Sequence, residues 1–502
     1  MTKLMTSIQR PWGSARTYQQ LAAAFCIVVL SACGGSSGTG AAPDSGEPGN
    51  PTDPIQTGNG GTPDPTVTDP GVPDNDEGTD LVGDTSDPTQ CNAATQKQWA
   101  YESMQDFYLF YDQVPVVDPQ SFDSADDVVR NVRFQERDDF SRVDDAEVSS
   151  LAFDEGREFG LGFRWGPDNE GMPRILLTIS ESPFGLAGIE RGDIILTADG
   201  LDWADPVLRD TFFERLIGTP EEPATASWRF QKRDTGEIVE VDITATEFRI
   251  NTVLSAAIYS GGALPGNVGY LAFNQFLNPS SFELNGVFTQ FREQSISELV
   301  LDLRYNGGGR VSIARELASL IAGDSNAGET IYNYRFNDKY TEENFTLTLQ
   351  SDVGDLGLSR LIVLTTGNSA SASEIVIAGL QPHMEVVTIG TRTTGKPYIQ
   401  YAYDRCGERL AVIEAEGFNA NNVSVFGGIP ATCFAVDDRT QNFGLNDGEF
   451  EGFLRAGIDF IENGTCAVAP MLATDTLRQR AVTKVDIDDR QGMSFRGGSL
   501  AD

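Results

Sequence analysis

Between Gln98 and Tyr111 the run QWAYESMQDFYLFY sets Trp99, Met104, Phe107, Leu109 and Phe110 near helical spacing. Residues 91–157 therefore read as a small, mostly helical N-terminal region whose aromatic side chains serve a core. The pattern then changes. Gly160-Leu161-Gly162-Phe163 opens a strand, Ile175 to Ile179 is a second apolar run, and Ala224 to Phe230 and Glu237 to Ile243 alternate as half-buried strands do. From Gly266 onward the rhythm is strand, loop, helix. Val268 to Phe273, Leu299 to Leu303, Leu361 to Thr365 and Val386 to Ile389 read as buried strands, with helical patterns over Val311 to Ile321 and Ala372 to Leu380. Such alternation predicts a layered α/β body over residues 249–466, followed by a tail, 467–502.

The first ninety residues have no such pattern. Lys3, Arg10 and Arg16 precede a short apolar stretch, Leu21 to Leu30, and then Leu30-Ser31-Ala32-Cys33. The apolar run falls short of the roughly 20 residues that span a bilayer. Residues 1–33 resemble a bacterial lipoprotein signal, which implies lipidation at Cys33. Residues 34–90 hold no aromatic residue, Lys or Arg, and cannot bury enough apolar surface to order themselves. They are expected to be an acidic, flexible tether with a span on the order of 40 Å.

Composition narrows the function. A net charge of -38 over 502 residues argues against a nucleic-acid partner, which needs clustered Lys and Arg. With Cys26 in the leader and Cys33 lipidated, Cys91, Cys406, Cys433 and Cys466 remain, and an oxidising compartment makes two disulfides of them. Of the three connectivities, Cys406–Cys433 with Cys91–Cys466 is the expected one, tying the start of the folded body to its end. A metal site is disfavoured, because there is no CxxC spacing and His383 is the sole histidine. No cofactor is expected.

Residues 158–248 resemble a PDZ domain of the bacterial type. The resemblance rests on Gly160-Leu161-Gly162-Phe163 followed by Ser182-Pro183, Ala187-Gly188-Ile189, Gly192-Asp193 and the turn Asp199-Gly200. Gly160, Leu161, Gly162 and Phe163 would bind a substrate's terminal carboxylate while the adjacent strand edge pairs with an extended peptide. A packing module with an unused groove is the plainer reading.

The chemistry lies in GNSASASE. It is not the GxSxG elbow of the α/β-hydrolases, and His383, beside Pro382 at a helix end, is a poor general base. Serine chemistry here needs a lysine. A free lysine titrates near 10.4, and lowering it to about 7 takes on the order of 4 kcal/mol, which burial can supply. Lys396 follows an apolar strand in a stretch poor in other charge. Ser371 stands where a strand gives way to a helix, so the N–H of Ala372 is a natural oxyanion donor. The loop Asn306-Gly307-Gly308-Gly309 offers a second, Gly308 first and Gly307 next. Ser369 and Ser373 read as capping or packing groups.

NSASASEI, then GTRTTGK, with DLRYNGGG upstream and the PDZ-like segment before that, resemble the carboxyl-terminal processing (tail-specific) peptidases over roughly residues 95–465. The resemblance implies Ser371 as nucleophile, Lys396 twenty-five positions on as base, and Glu374 and Gln400 as polar partners of the pair. It implies an α/β (α+β) fold, a layered crotonase/Clp-protease-like core carrying an inserted PDZ domain. Asp302 and Arg304 would support the glycine loop. Thr394 and Pro397 depart from the family's aromatic and glycine beside the lysine, which puts substrate preference in doubt. The expected protein is a serine endopeptidase acting on unfolded polypeptides with exposed apolar C-termini. It is exported and anchored by lipid, with Gly34 pointing to the periplasmic face of the outer membrane. An adaptor or further copies are left open. A catalytically silent PDZ scaffold is the alternative from another class, and a small-molecule esterase or amidase a weaker third.

Overall fold

The described chain begins at a capped helix. In this computed structural model, which describes residues 91–466 and 481–484 apart from positions 169, 204, 206, 209, 210, 352 and 447, Asn92 caps helix α1 (Ala93–Asp106). Its Oδ1 accepts from the N–H groups of Ala94 and Thr95, each at 3.1 Å, and Thr95 Oγ1 accepts from Asn92 N–H at 3.2 Å. Two orphan donors of the first turn are thereby satisfied. Helix α2 (Ala125–Val132), strand β1 (Arg142–Asp145) and helix α3 (Ala146–Phe153) follow. Trp99 and Met104 are buried, and this region packs on Tyr398, Leu410, Val412 and Ile413 far along the chain.

Residues 157–249 form a separate β body with its own core. Its strands are β2 (Arg157–Gly160), β3 (Phe163–Pro167), β4 (Pro173–Thr178), β5 (Ile194–Ala198), β6 (Leu201–Asp202), β7 (Thr225–Gln231), β8 (Ile238–Thr244) and β9 (Thr246–Arg249). One sheet runs β3-β4-β5-β7-β8 with β6 beside β5, and β2 pairs with β9 to zip the two ends together. Ala226, Trp228 and Phe230 alternate inward from β7, the period-2 pattern of a half-buried strand. Gly160 closes β2 and Phe163 opens β3, so GLGF is the loop between two strands rather than one strand's start.

The larger body contains β10 (Val253–Ser260), β11 (Asn267–Phe273), α4 (Ser280–Glu293), β12 (Ile296–Asp302), α5 (Val311–Ala322), β13 (Thr330–Phe336), β14 (Phe345–Thr348), β15 (Arg360–Thr365), α6 (Ala372–Leu380), β16 (Glu385–Gly390), β17 (Tyr398–Arg405), β18 (Glu408–Asn419), β19 (Cys433–Phe434) and α7 (Gly452–Asn463). The central sheet has the order β19-β16-β15-β12-β11-β10, with parallel pairing from β19 to β11. Leu299, Leu301, Leu361 and Val363 face α4, α5 and α6, whereas Val300, Ile362 and Leu364 face α7. A sheet covered on both faces needs such continuously apolar strands. A second sheet, β1-β18-β13-β14 with β17 also on β18, carries the N-terminal region.

Two expectations are corrected here. Segment 467–502 is not only a tail, since Ala481–Lys484 pairs antiparallel with β10 at the edge of the central sheet. The disulfides are Cys91–Cys406 and Cys433–Cys466, with Cα separations of 5.3 and 5.4 Å, not Cys406–Cys433 and Cys91–Cys466. The β17–β18 hairpin turns its tip, Cys406-Gly407, toward the start of α1. Cys433 sits on β19, the edge strand of the central sheet, and meets Cys466 just after α7. A non-reducing peptide map is expected to recover these two linked pairs. The first closes a loop of 315 residues, so the Cys91→Ser, Cys406→Ser double variant should lose on the order of 4–6 kcal/mol by chain-entropy reasoning, read as a lower denaturation midpoint. Cys33 and the rest of the leader and tether lie outside the described residues.

Candidate active site

Ser371 is the N-cap of α6 and sits at φ 54°, ψ -115°, a conformation that costs a non-glycine residue on the order of 1–3 kcal/mol. The surroundings hold it there. Ser371 N–H donates to Glu374 Oε2 at 2.9 Å, and the N–H groups of Glu374 and Ile375 donate back to the Ser371 carbonyl at 2.8 and 2.9 Å. Gly308 crosses directly above, so close that a Cβ there would lie 2.7 Å from Ser371 Cβ, and at φ 104° only glycine is at ease.

Asn306 ties the glycine loop to the serine segment. It is fully buried, its carbonyl accepts from Ala370 N–H at 3.1 Å and Ser373 Oγ at 2.9 Å, and its Oδ1 accepts from Gly308 N–H at 2.9 Å. The Gly308 N–H is therefore engaged, and it could reach an oxyanion only after Asn306 lets it go. Gly307 is the exposed member of the loop, and Ala372 N–H opens the helix above Ser371. Beneath the loop Arg304 is wholly buried between Asp302, Asp437 and Glu451, at 2.6 to 2.7 Å. Burial alone would raise Asp437, but the Arg191 and Arg304 charges hold it down at about 2. Two arginines of the 157–249 body reach this loop. Arg164 on β3 donates to the Tyr305 carbonyl at 2.5 Å, and Arg191 donates to the Tyr305 hydroxyl at 2.8 Å.

Lys396 lines the same cleft as Ser371, Gly307 and Gly308, a space of about 820 Å³. It keeps partial exposure to the cleft yet is densely enclosed. Burial lowers it to about 7, Arg142 adds to the shift, and Asp138 and Glu374 oppose it. Its ammonium donates to Gln400 Oε1 and lies 5.1 Å from the Phe140 ring centroid. Gln400 is held by its Nε2, which donates to the Phe140 and Ala411 carbonyls at 3.1 and 3.3 Å. Among the described residues no hydrogen bond joins Ser371 Oγ to Lys396 Nζ. The segment around Lys396 is charge-poor along the chain but not in space. Asp138, Phe140 and Arg142 come from the N-terminal region, and no local signal in the sequence pointed to them.

Glu374 links the two halves. Its Oε2 accepts from the N–H groups of Ser371 and Lys396, both at 2.9 Å, and its Oε1 accepts from Gly395 N–H at 2.7 Å and from the Thr393 hydroxyl. Burial raises this carboxyl above its ordinary value, against the pull of those donors. The remaining expected residues lie elsewhere. Ser369 Oγ donates to the Leu303 carbonyl at 2.8 Å, and His383 binds the Thr330 carbonyl at 2.8 Å, away from the cleft. Gly160, Leu161, Gly162 and Phe163 are not brought to Ser371. Leu161 is buried in its own body's core, Phe163 stacks on Phe184 at 4.2 Å, and the next residue, Arg164, is the one that lines the cleft.

Chemically, the arrangement places a hydroxyl at a helix N-terminus, an amine that is substantially neutral near pH 7, and a glycine loop around one water-accessible space. That is equipment for acyl transfer without histidine or metal ligands.

Residues 267–425 match the family described as Peptidase family S41, and residues 95–142 match the Peptidase S41 N-terminal domain. Curated relatives include the carboxyl-terminal-processing protease of Picosynechococcus, 28% identical over 54% of this chain and 62% of its own length. The Synechocystis protein of the same name is 29% identical over 51% of this chain and 57% of its own. The chloroplastic carboxyl-terminal-processing peptidase 1 of Arabidopsis thaliana is 26% identical over 62% of each. The chain thus spans about three fifths of the length of these relatives. Among solved structures, one described as an S41 protease from Bacteroides fragilis shares the fold. It has a TM-score of 0.59 and 24% identity, covering 73% of this chain and 97% of that one.

Proposed function

Because the chain belongs to peptidase family S41, we propose that it is a serine endopeptidase in which Ser371 is the nucleophile and Lys396 the general base. The observation that carries the reading is the shared cleft of Ser371 and a lysine lowered to about 7. Lys396, neutral, turns from Gln400 and takes the Ser371 proton as Oγ bonds to the scissile carbonyl carbon. The oxyanion is met by Ala372 N–H and the glycine loop. Lys396 returns its proton to the leaving amine as the C–N bond breaks, leaving an acyl-enzyme. Water then gives a proton to Lys396 as it adds to the ester carbonyl, and Lys396 passes that proton to Ser371 Oγ as the C–Oγ bond breaks, freeing the carboxylic acid and the serine.

The 157–249 body acts in this reading as a PDZ module that holds a substrate's C-terminus. β3 is the end strand of its sheet, and Gly162 fits against Ser182 only because it lacks a Cβ. The substrates proposed are unfolded polypeptides of the cell envelope with apolar C-termini. Residues 1–33 would export the chain, Cys33 would carry lipid, and residues 34–90 would space the catalytic body from the periplasmic face of the outer membrane.

A second reading, a silent scaffold, is favoured by one observation. Lys396 is hydrogen-bonded to Gln400 and not to Ser371. Incubation with a fluorophosphonate probe and intact-mass analysis separates the two. A single adduct on the Ser371 peptide is the expected result, and no adduct with or without an apolar C-terminal peptide would establish the scaffold.

The lysine also fixes a pH dependence. Below about 7 the ammonium cannot accept a proton, so kcat/KM should climb about tenfold per pH unit and level off above that value. Arg142 repels the ammonium. Arg142→Gln should therefore raise the lysine's pKa and move the rising limb to higher pH, measurable on any cleaved peptide.

A further inference from the structure

The chain carries 74 acidic side chains against 36 of Lys and Arg, yet the cleft that holds Ser371 reverses that balance. Among the described residues, five arginines and Lys396 line it against three aspartates. Each aspartate is already taken. Arg142 lies 2.7 Å from Asp144, Arg310 pairs with Asp154, and Arg409 grips Asp404 through two nitrogens, each at 2.7 Å. Arg164 donates to the Tyr305 carbonyl, and Lys396 donates to Gln400. Arg405 is left over, and among the described residues no carboxylate pairs with it.

Arg405 closes strand β17 at the end remote from Lys396. The residue opposite it on β18 is Glu408, but the two form no ion pair. The Arg405 guanidinium lies instead 5.9 Å from the ring centroid of Trp99, another residue of the cleft. Such a cation–π contact orients the guanidinium while leaving its hydrogen-bond donors unused. The next residue, Cys406, is bound to Cys91, so the hairpin tip beside Arg405 is tied to the start of α1. A half-buried cation on an anchored strand, open to the cleft and without an anion of its own, is preorganised for one from outside the chain.

We propose that Arg405 is a specificity-determining residue that binds an Asp or Glu side chain of the polypeptide substrate at the end of the cleft remote from Lys396. This rests on the peptidase reading above and narrows its substrates to chains with an acidic residue at a set distance from the cleaved bond. From Lys396 to Arg405 the extended backbone spans roughly 30 Å, at about 3.3 Å per residue, so an extended substrate covers it in about eight or nine residues. A carboxylate suits the guanidinium fork, which can hold both of its oxygens through parallel hydrogen bonds. A cationic cleft in an acidic protein also draws acidic chains toward the site and turns basic ones away.

The test is a family of otherwise identical peptides with an apolar C-terminus, cleaved by the full protein, with the cleaved bond mapped by mass spectrometry. One Asp is walked residue by residue away from that bond on either side, and each peptide is compared with its Asn counterpart. The expected result is a narrow window, about eight or nine residues from the bond, where kcat/KM for Asp exceeds that for Asn by about threefold to tenfold at low salt. In Arg405→Gln that ratio should fall to about one, and Arg405→Glu should prefer Lys over Asn in the same window. A ratio near one at every position in the wild type overturns the proposal, while cleavage itself upholds the peptidase reading. An Asp advantage spread evenly over all positions and kept in Arg405→Gln also overturns it, since the diffuse field of the cleft would then be the cause. Failure to cleave any of the peptides, with no fluorophosphonate adduct at Ser371, overturns the peptidase reading and this proposal with it.

Discussion

Ser371→Ala and Lys396→Met are each expected to lower kcat by about 10⁴-fold or more, because the two are proposed as a nucleophile–base pair, whose members act as a unit so that losing either costs nearly the whole. The two variants should differ in stability. Ser371 is partly exposed at the mouth of the cleft, and alanine keeps the same backbone demands, so the fold and its midpoint should hardly change. Lys396 titrates near 7 in the folded protein against 10.5 when free. Between those values the unfolded chain binds the extra proton, so stability rises with pH from about 7 to 10.5 and the penalty is complete below 7. Its ceiling is on the order of 5 kcal/mol, reduced by what the bond to Gln400 returns. Lys396→Met removes that penalty. Its midpoint at pH 6 should lie several degrees above that of the wild type, and the difference should shrink as pH approaches 10. An inactive but stabilised Lys396→Met, checked by peptide cleavage and calorimetry, is the signature of a lysine kept neutral for chemistry. Equal stability at pH 6 would mean that the lysine is not strained, and the base would have to be sought elsewhere.

What could be read from the chain and what could not divide along a physical line. Ser371, Ala372 and Glu374 lie within four residues, and their proposed roles follow from a strand, a tight loop and a helix N-terminus in succession. The core strands β11, β12, β15 and β16 were visible because a doubly covered parallel sheet leaves uninterrupted apolar runs. The surroundings of Lys396 were not visible. Asp138, Phe140 and Arg142 reach it only because the N-terminal region docks on β18, more than 250 residues later. The disulfides failed for the same reason. Cysteine count constrains how many bridges form, but their pairing depends on where the β17–β18 hairpin points. In the sequence Asn306 is only the first residue of the glycine loop, yet its side chain and carbonyl lock that loop onto the serine segment. Asparagine beside glycines signals a turn in any sequence, and nothing local distinguishes one that also holds the Ser371 segment in place.

The second large effect is expected at Glu374, which touches neither substrate nor the reacting atoms and acts as a positioning residue. Its carboxylate takes four donors, two on each oxygen, and those donors belong to the segments carrying Ser371 and Lys396. Glutamine has the same shape but only one accepting oxygen. If that oxygen keeps the N–H groups of Ser371 and Lys396, the amide group must face Gly395 N–H, leaving a buried donor unpaired at about 1–3 kcal/mol. Glu374→Gln should therefore fold with a midpoint lowered by several degrees. Its kcat should fall about 10- to 100-fold with KM nearly unchanged, because the serine and lysine lose their mutual registration before any substrate contact is lost. A merely structural role would stop there. Glu374 also favours the Lys396 ammonium by charge, so its neutral replacement should lower that lysine's pKa and carry the rising limb of kcat/KM to lower pH, opposite to the shift expected for Arg142→Gln. Glu374→Ala leaves all four donors without the acceptor and opens a cavity, and should be too unstable to interpret. The glutamine variant is thus the informative one. A wild-type limb in Glu374→Gln would reduce Glu374 to a scaffold for the loop, whereas opposite shifts in the two variants would identify the electrostatic balance that keeps Lys396 near neutrality.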